Sequence, residues 1–156
     1  MNRTLFFLSI VIFSIFVGSQ ITEGFLLVPY WKTLSRVEFY VFYAKFGPTI
    51  GSYYKTLTII ATLIPLGICI YCFFNKSSAL KYSIVSTIFA LLVIALFYVY
   101  FKDANQQFYD ATFDAIQLKT VLRTWGHLHW LRVLFELLSL FFLILTLNIL
   151  SQKRLF

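Results

Sequence analysis

A four-helix bundle that crosses the bilayer is the fold class this sequence predicts, and three observations carry it. The 156-residue chain is 60% hydrophobic and only 12% charged, against about 45–50% apolar and about 25% charged in water-soluble domains. Its apolar residues gather into four long runs, two of them free of charge. Its 13 Lys and Arg outnumber 6 Asp and Glu, yet they stand singly or in pairs beside those runs, as Lys55, Lys81, Lys102 and Lys153-Arg154 show. That is the placement of membrane-flanking anchors, not of a phosphate-tracking patch, so the expected partner is a lipid bilayer and not nucleic acid. The length suits one domain.

A helix crossing about 30 Å of hydrocarbon needs roughly 20 residues. Four segments qualify: residues 5–28, 56–74, 82–101 and 133–150. Backbone polar groups in lipid must be paired within the segment, so each is a helix. The first run also fits a cleaved leader, with Arg3 ahead of an apolar stretch ending at Val17-Gly18-Ser19. The apolar character resumes over residues 25–28, which favours a full span.

The connections predict the packing order. Residues 75–81 form a tight polar link, which makes the second and third spans antiparallel neighbours. Residues 29–55 read as a longer aromatic connection punctuated by Pro29, Gly47, Pro48 and Gly51, with an interfacial helix over 34–46. Residues 108–122 read as a helix at the surface, or as an extension of the last span into water. Both termini fall on one side. The density of Arg3, Lys76, Lys81, Lys153 and Arg154, with no acids among them, points to cytoplasmic termini; a raw count of Lys and Arg points the other way.

Ionisable groups within a span cost about 2.5–3.5 kcal/mol each on insertion scales, so they need a reason. In the last helix Trp125, His129, Arg132, Glu136, Ser139 and Thr146 are spaced by 4, 3, 4, 3 and 7, which places them on one face. Leu134, Leu138, Phe141 and Leu145 form the opposite face. In the first span Ser9, Phe13, Phe16, Gln20 and Glu23 follow the same spacing. Glu23 and Arg132 lie at matching depths, so Glu23 is expected to approach Arg132 or His129 across the bundle. Tyr53, Tyr54, Tyr98, Tyr100 and Asn105 fall at the same level, where a polar pocket is expected near one end of the bundle. Two readings follow: a ligand pocket, or a structural clasp in a non-catalytic membrane subunit.

His127 and His129 point to opposite helix faces, so they cannot share a metal without distortion. A metal would need Glu23 or Glu136 as well, and none is expected. Cys69-Ile-Tyr-Cys72 has the spacing of a redox pair, but it lies at the far end of its span and has no second pair to relay electrons. Transport by a four-helix unit would require a homo-oligomer.

Gly24-Phe25-Leu26-Leu27-Val28-Pro29 closes the first span. An aromatic stretch follows over 37–46, and Trp125-Gly126-His127-Leu128-His129-Trp130-Leu131-Arg132 opens the last span. On these motifs the chain resembles the anthrone-oxygenase-like family of small four-span membrane proteins over nearly its whole length. The resemblance implies that Trp125, His129 and Arg132 line a shared site. The chain departs from many relatives in having His129 in place of Asn, and in carrying Glu23. Some relatives are linked to oxygenation of polycyclic anthrones, but no residue here singles out a polyketide. The enzymatic expectation is oxidation of a small apolar or aromatic molecule without a cofactor. His129 would be the base, Arg132 would stabilise an enolate-like oxygen, and Glu23 or Glu136 would orient them. Trp125, Gln20, Tyr98 and Asn105 would line the pocket.

Overall fold

The computed structural model describes residues 3–152 and is helical almost throughout. Lys153 and Arg154, expected as anchors of the last span, lie outside the described residues. Four long helices follow in order: α1 (Thr4–Thr33), α2 (Arg36–Phe74), α3 (Leu80–Tyr109) and α4 (Ala115–Gln152). All four are long and apolar enough to cross a membrane, and only 22–33% of the residues in their most apolar stretches are buried. The remaining apolar surface faces lipid, so the chain is a multi-pass membrane protein. The helices run up and down in a closed ring, with α1 against α2 and α4, and α3 against the same two.

The connections depart from expectation. The two long ones contract to residues 34–35 and 110–114, because their helical parts are continuous with the spans. α2 contains the whole of 36–55 and passes through Pro48 and Pro65. Proline removes one backbone donor, and membrane helices tolerate it where neighbouring groups take up the freed carbonyls. The helix starts early because Ser35 and Glu38 form a reciprocal capping box: Glu38 N–H donates to Ser35 Oγ, and Ser35 N–H donates to Glu38 Oε2 at 2.8 Å. Residues 108–122 divide between the end of α3 and the start of α4, where Asp114 and Gln117 cap each other in the same way. At 1.5 Å per residue the 39-residue α2 is about 58 Å long, nearly twice the hydrocarbon thickness. The bundle therefore continues beyond the bilayer at the end opposite the 75–79 turn.

That outer end is tied together by polar contacts. Arg36 Nε donates to the Phe113 carbonyl at 2.7 Å, and Phe113 N–H donates to the Tyr40 hydroxyl at 3.1 Å. Inside, the core has two apolar parts. One, near the 75–79 turn, contains Phe6, Phe13, Phe16, Ala61, Cys72 and Leu143. The other, towards the outer end, contains Trp31, Phe39, Tyr43, Phe101, Phe108 and Trp125. The buried polar residues Gln20, Glu23, His129, Arg132 and Glu136 form a layer between them. The expected polar end of the bundle is thus an internal layer, covered by aromatic packing where the helices extend past it.

Deeper in the span, α3 and α4 are joined by a reciprocal pair. Ser86 Oγ donates to the Ser139 carbonyl at 2.8 Å, and Ser139 Oγ donates to the Ser86 carbonyl at 2.9 Å. Thr87 Oγ1 bonds the Pro65 carbonyl of α2 at 3.0 Å. These hydroxyls keep their hydrogen bonds out of lipid and fix helix positions.

Candidate functional site: a buried polar layer between the first and last helices

Two π-turns mark the level of the layer. In α1 the turn spans Glu23–Leu27, and Val28 N–H reaches the Glu23 carbonyl. Pro29 follows directly, has no N–H to give, and presses on the preceding turn, so the helix widens there. In α3 the turn spans Phe97–Phe101, and Lys102 N–H reaches the Phe97 carbonyl. One turn carries Glu23 inward; the other buries Phe101 completely and leaves Tyr98 outside. Such turns occur often at functional sites.

Arg132 is the hub. Its Nη2 lies 2.6 Å from Gln20 Oε1, 2.9 Å from Glu23 Oε2 and 2.7 Å from His129 Nδ1. That nitrogen has two hydrogens, so three acceptors share them. A guanidinium only donates, so Nδ1 of His129 faces it as a lone pair. Nε2 then carries the ring hydrogen and donates to the Gln20 carbonyl at 2.9 Å. His129 Nδ1 is also 3.6 Å from Glu23 Oε2. The guanidinium lies against two aromatic rings, 4.8 Å from the Phe101 centroid and 5.8 Å from that of Trp125. Trp125 stacks on His129 at 5.3 Å with only 9° between ring planes, and its indole N–H donates to Asn105 Oδ1 at 3.0 Å. Charge, cation–π contact and hydrogen bonds together offset the cost of burying these groups.

Gly24 makes the approach of α1 to α4 possible. A Cβ at that position would lie 2.8 Å from Trp130 Cζ2 and 3.0 Å from His129 Nε2. Only hydrogen fits.

The layer is not fully paired. Gln20 Nε2, Arg132 Nε and both carboxylate oxygens of Glu136 are buried without a protein hydrogen-bond partner. Each such group costs about 1–3 kcal/mol, more when charged. Glu136 is fully buried one helical turn beyond Arg132.

Of the residues singled out in the sequence, Gln20, Glu23, Trp125, His129 and Arg132 come together, Glu136 lies one turn on, and Asn105 joins through Trp125. Tyr98 does not join. It is 64% exposed on the outer face of α3, because the π-turn rotates it away. Tyr54 is half-buried and donates to the Ser19 carbonyl at 3.2 Å, while Tyr53 is exposed. His127 is exposed, on the side away from His129. Cys69 and Cys72 are free thiols in the inner half of the bundle. Among the described residues, no three His, Cys, Asp or Glu side chains gather as metal ligands. Sequence reasoning missed Phe101 and Gly24. No local pattern distinguishes Phe101 among 19 phenylalanines, whereas Gly24 directly beside a buried acid is a readable sign of close helix approach.

The fold and site define a class: a four-span membrane bundle whose outermost helices are joined by a buried Arg–Glu–Gln–His network. Comparisons with protein-family models, curated proteins and solved structures find no match to this chain.

Proposed function

We propose that the chain is a non-catalytic membrane component whose polar layer works as a clasp, fixing α1 against α4 at one depth and rotation. The observation that carries this is the convergence of Gln20, Glu23 and His129 on a single nitrogen of Arg132, with Arg132 only 8% exposed. Three acceptors are satisfied by that one guanidinium nitrogen. The lone pair of His129 that would accept a substrate proton faces Arg132 instead. A clasp gives four apolar helices what lipid-facing side chains cannot, a unique register.

The test is a double-mutant cycle on Glu23→Gln and Arg132→Met, read by thermal unfolding in detergent micelles. Removing one partner of a buried ion pair costs about 3–5 kcal/mol, and the double variant is expected to lose far less than the sum of the two. Additive losses would reject the clasp. If neither single variant folds, folding of the double variant is the expected rescue.

A second reading keeps the resemblance to the anthrone-oxygenase-like family: binding and oxidation of a small apolar or aromatic molecule at the same layer. What favours it is the wall of rings beside Arg132, formed by Trp31, Phe101 and Trp125 with 5.0–5.3 Å between centroids. In that reading His129, Arg132, Glu23 and Glu136 are the reacting or orienting groups. Turnover of an aromatic ketone in the presence of dioxygen, lost in His129→Ala while the fold persists, would establish it.

A further inference from the structure

Among the described residues five buried side-chain atoms have no partner: one, Trp31 Nε1, lies in the outer aromatic core, and the other four belong to the polar layer. Gln20 Nε2 and Arg132 Nε are donors with no acceptor; Glu136 Oε1 and Oε2 are acceptors with no donor. The orientation of Gln20 is not a free choice. Arg132 can only donate, so the amide must turn its oxygen to Nη2, at 2.6 Å, and its NH₂ away. The two orphaned donors belong to the amide and the guanidinium that share this hydrogen bond. Glu136 follows on the same buried face of α4 and is fully enclosed. Tyr54 of α2 donates to the carbonyl of Ser19, the residue before Gln20, at 3.2 Å. It is only half-buried, so this side of the layer is the one that approaches the surface of the bundle.

The group that satisfies both sets accepts from nitrogen and donates to carboxylate through one atom. We infer that Gln20, Arg132 and Glu136 form a buried site for a hydroxyl group, which bridges the two nitrogen donors to the Glu136 carboxylate. A hydroxyl oxygen accepts from Gln20 Nε2 and Arg132 Nε, and its hydrogen goes to Glu136. Water supplies this chemistry with a second hydrogen for the other carboxylate oxygen. An alcohol or phenol supplies it with an organic tail.

The inference rests on the clasp reading for the orientation of Gln20, and it fails separately. The experiment is solid-state nuclear magnetic resonance on the full chain in lipid nanodiscs, with nitrogen-15 in Gln and Arg side chains. Magnetisation transfer from water protons to Gln20 Nε2 and Arg132 Nε is measured with and without added phenol. Gln20→Met and Arg132→Lys assign the signals. Transfer from water that phenol leaves unchanged identifies water as the occupant. Transfer that phenol abolishes saturably, while shifting both nitrogen signals, identifies an exchangeable organic hydroxyl site. Either result supports the site, and Glu136→Leu is expected to remove the effect. If that variant does not fold, Glu136→Gln, which keeps one acceptor, is expected to weaken it. No transfer at either nitrogen, and no phenol shift, would overturn the inference and leave the clasp standing. Loss of the Gln20–Arg132 hydrogen bond in the same spectra would overturn both.

Discussion

Arg132 of α4 donates to Glu23 of α1 at 2.9 Å, across 109 positions of sequence, with both side chains enclosed. The contact joins the first helix to the last and closes the ring of four. It sits between two apolar core clusters that by themselves would allow α1 to slide or rotate. A directional charge pair removes that freedom, since a shift of one turn would strand both charges in a dry interior.

Gly24 is the residue next to that pair, and its lack of a side chain is needed. Gly24→Ala should destabilise the bundle by about 1–3 kcal/mol, the usual cost of overpacking. Its Cβ would meet the Trp130 ring at 2.8 Å and His129 at 3.0 Å. Gly126→Ala is the contrast. There the nearest atom, at 2.9 Å, is the far end of the long Lys32 side chain, with Val28 Cγ1 next at 3.2 Å, and helix propensity returns about 0.5–1 kcal/mol. Thermal unfolding of the two variants should therefore differ in size, with Gly24→Ala clearly the lower. Equal midpoints would contradict the close α1–α4 approach.

The Ser86–Ser139 pair predicts a small coupled effect. Each hydroxyl bonds the other residue's carbonyl, and interhelical hydrogen bonds within membranes average about 0.6 kcal/mol. Ser86→Ala and Ser139→Ala should each cost about that much. The double variant should depart from the sum of the two, because the hydroxyls also lie 3.4 Å apart in one network. A loss of several kcal/mol in either variant would show that the hydroxyls do more than hold α3 against α4.

At the outer end, Asp114 accepts from Ile116 and Gln117 N–H, both at 2.8 Å. Asp114→Ala should cost about 1 kcal/mol and should raise amide hydrogen exchange over the first turn of α4. Exchange at His129 and Arg132, four turns further on, should not change. Exchange rising along the whole helix would show that the outer extension and the span unfold as one unit.

The spans were legible because lipid imposes length and composition directly on the chain. The polar face of α4 was legible because spacings of 3 and 4 survive in any straight helix, and the same spacing in α1 ended on Glu23. Tyr98 shows where that reasoning stops. Its depth matched the layer, but a π-turn, invisible to a count of 3.6 residues per turn, sends it outward. Pro48 shows another limit. It reads as a break, yet α2 passes through it, starting from a capping box at Ser35 and Glu38 that was available in the sequence as S-x-x-E.

The sequence alone determined that this chain has four membrane-crossing helices and that its ionisable groups line one face of the first and last of them. Free energy of transfer and helical periodicity are local properties, written residue by residue. The tertiary structure decided that three side chains meet on one arginine nitrogen, that aromatic rings cover it, and that Glu136 is enclosed without a protein partner. Those relationships depend on how four helices rotate and approach, which close packing fixes across more than 100 residues and no local pattern encodes.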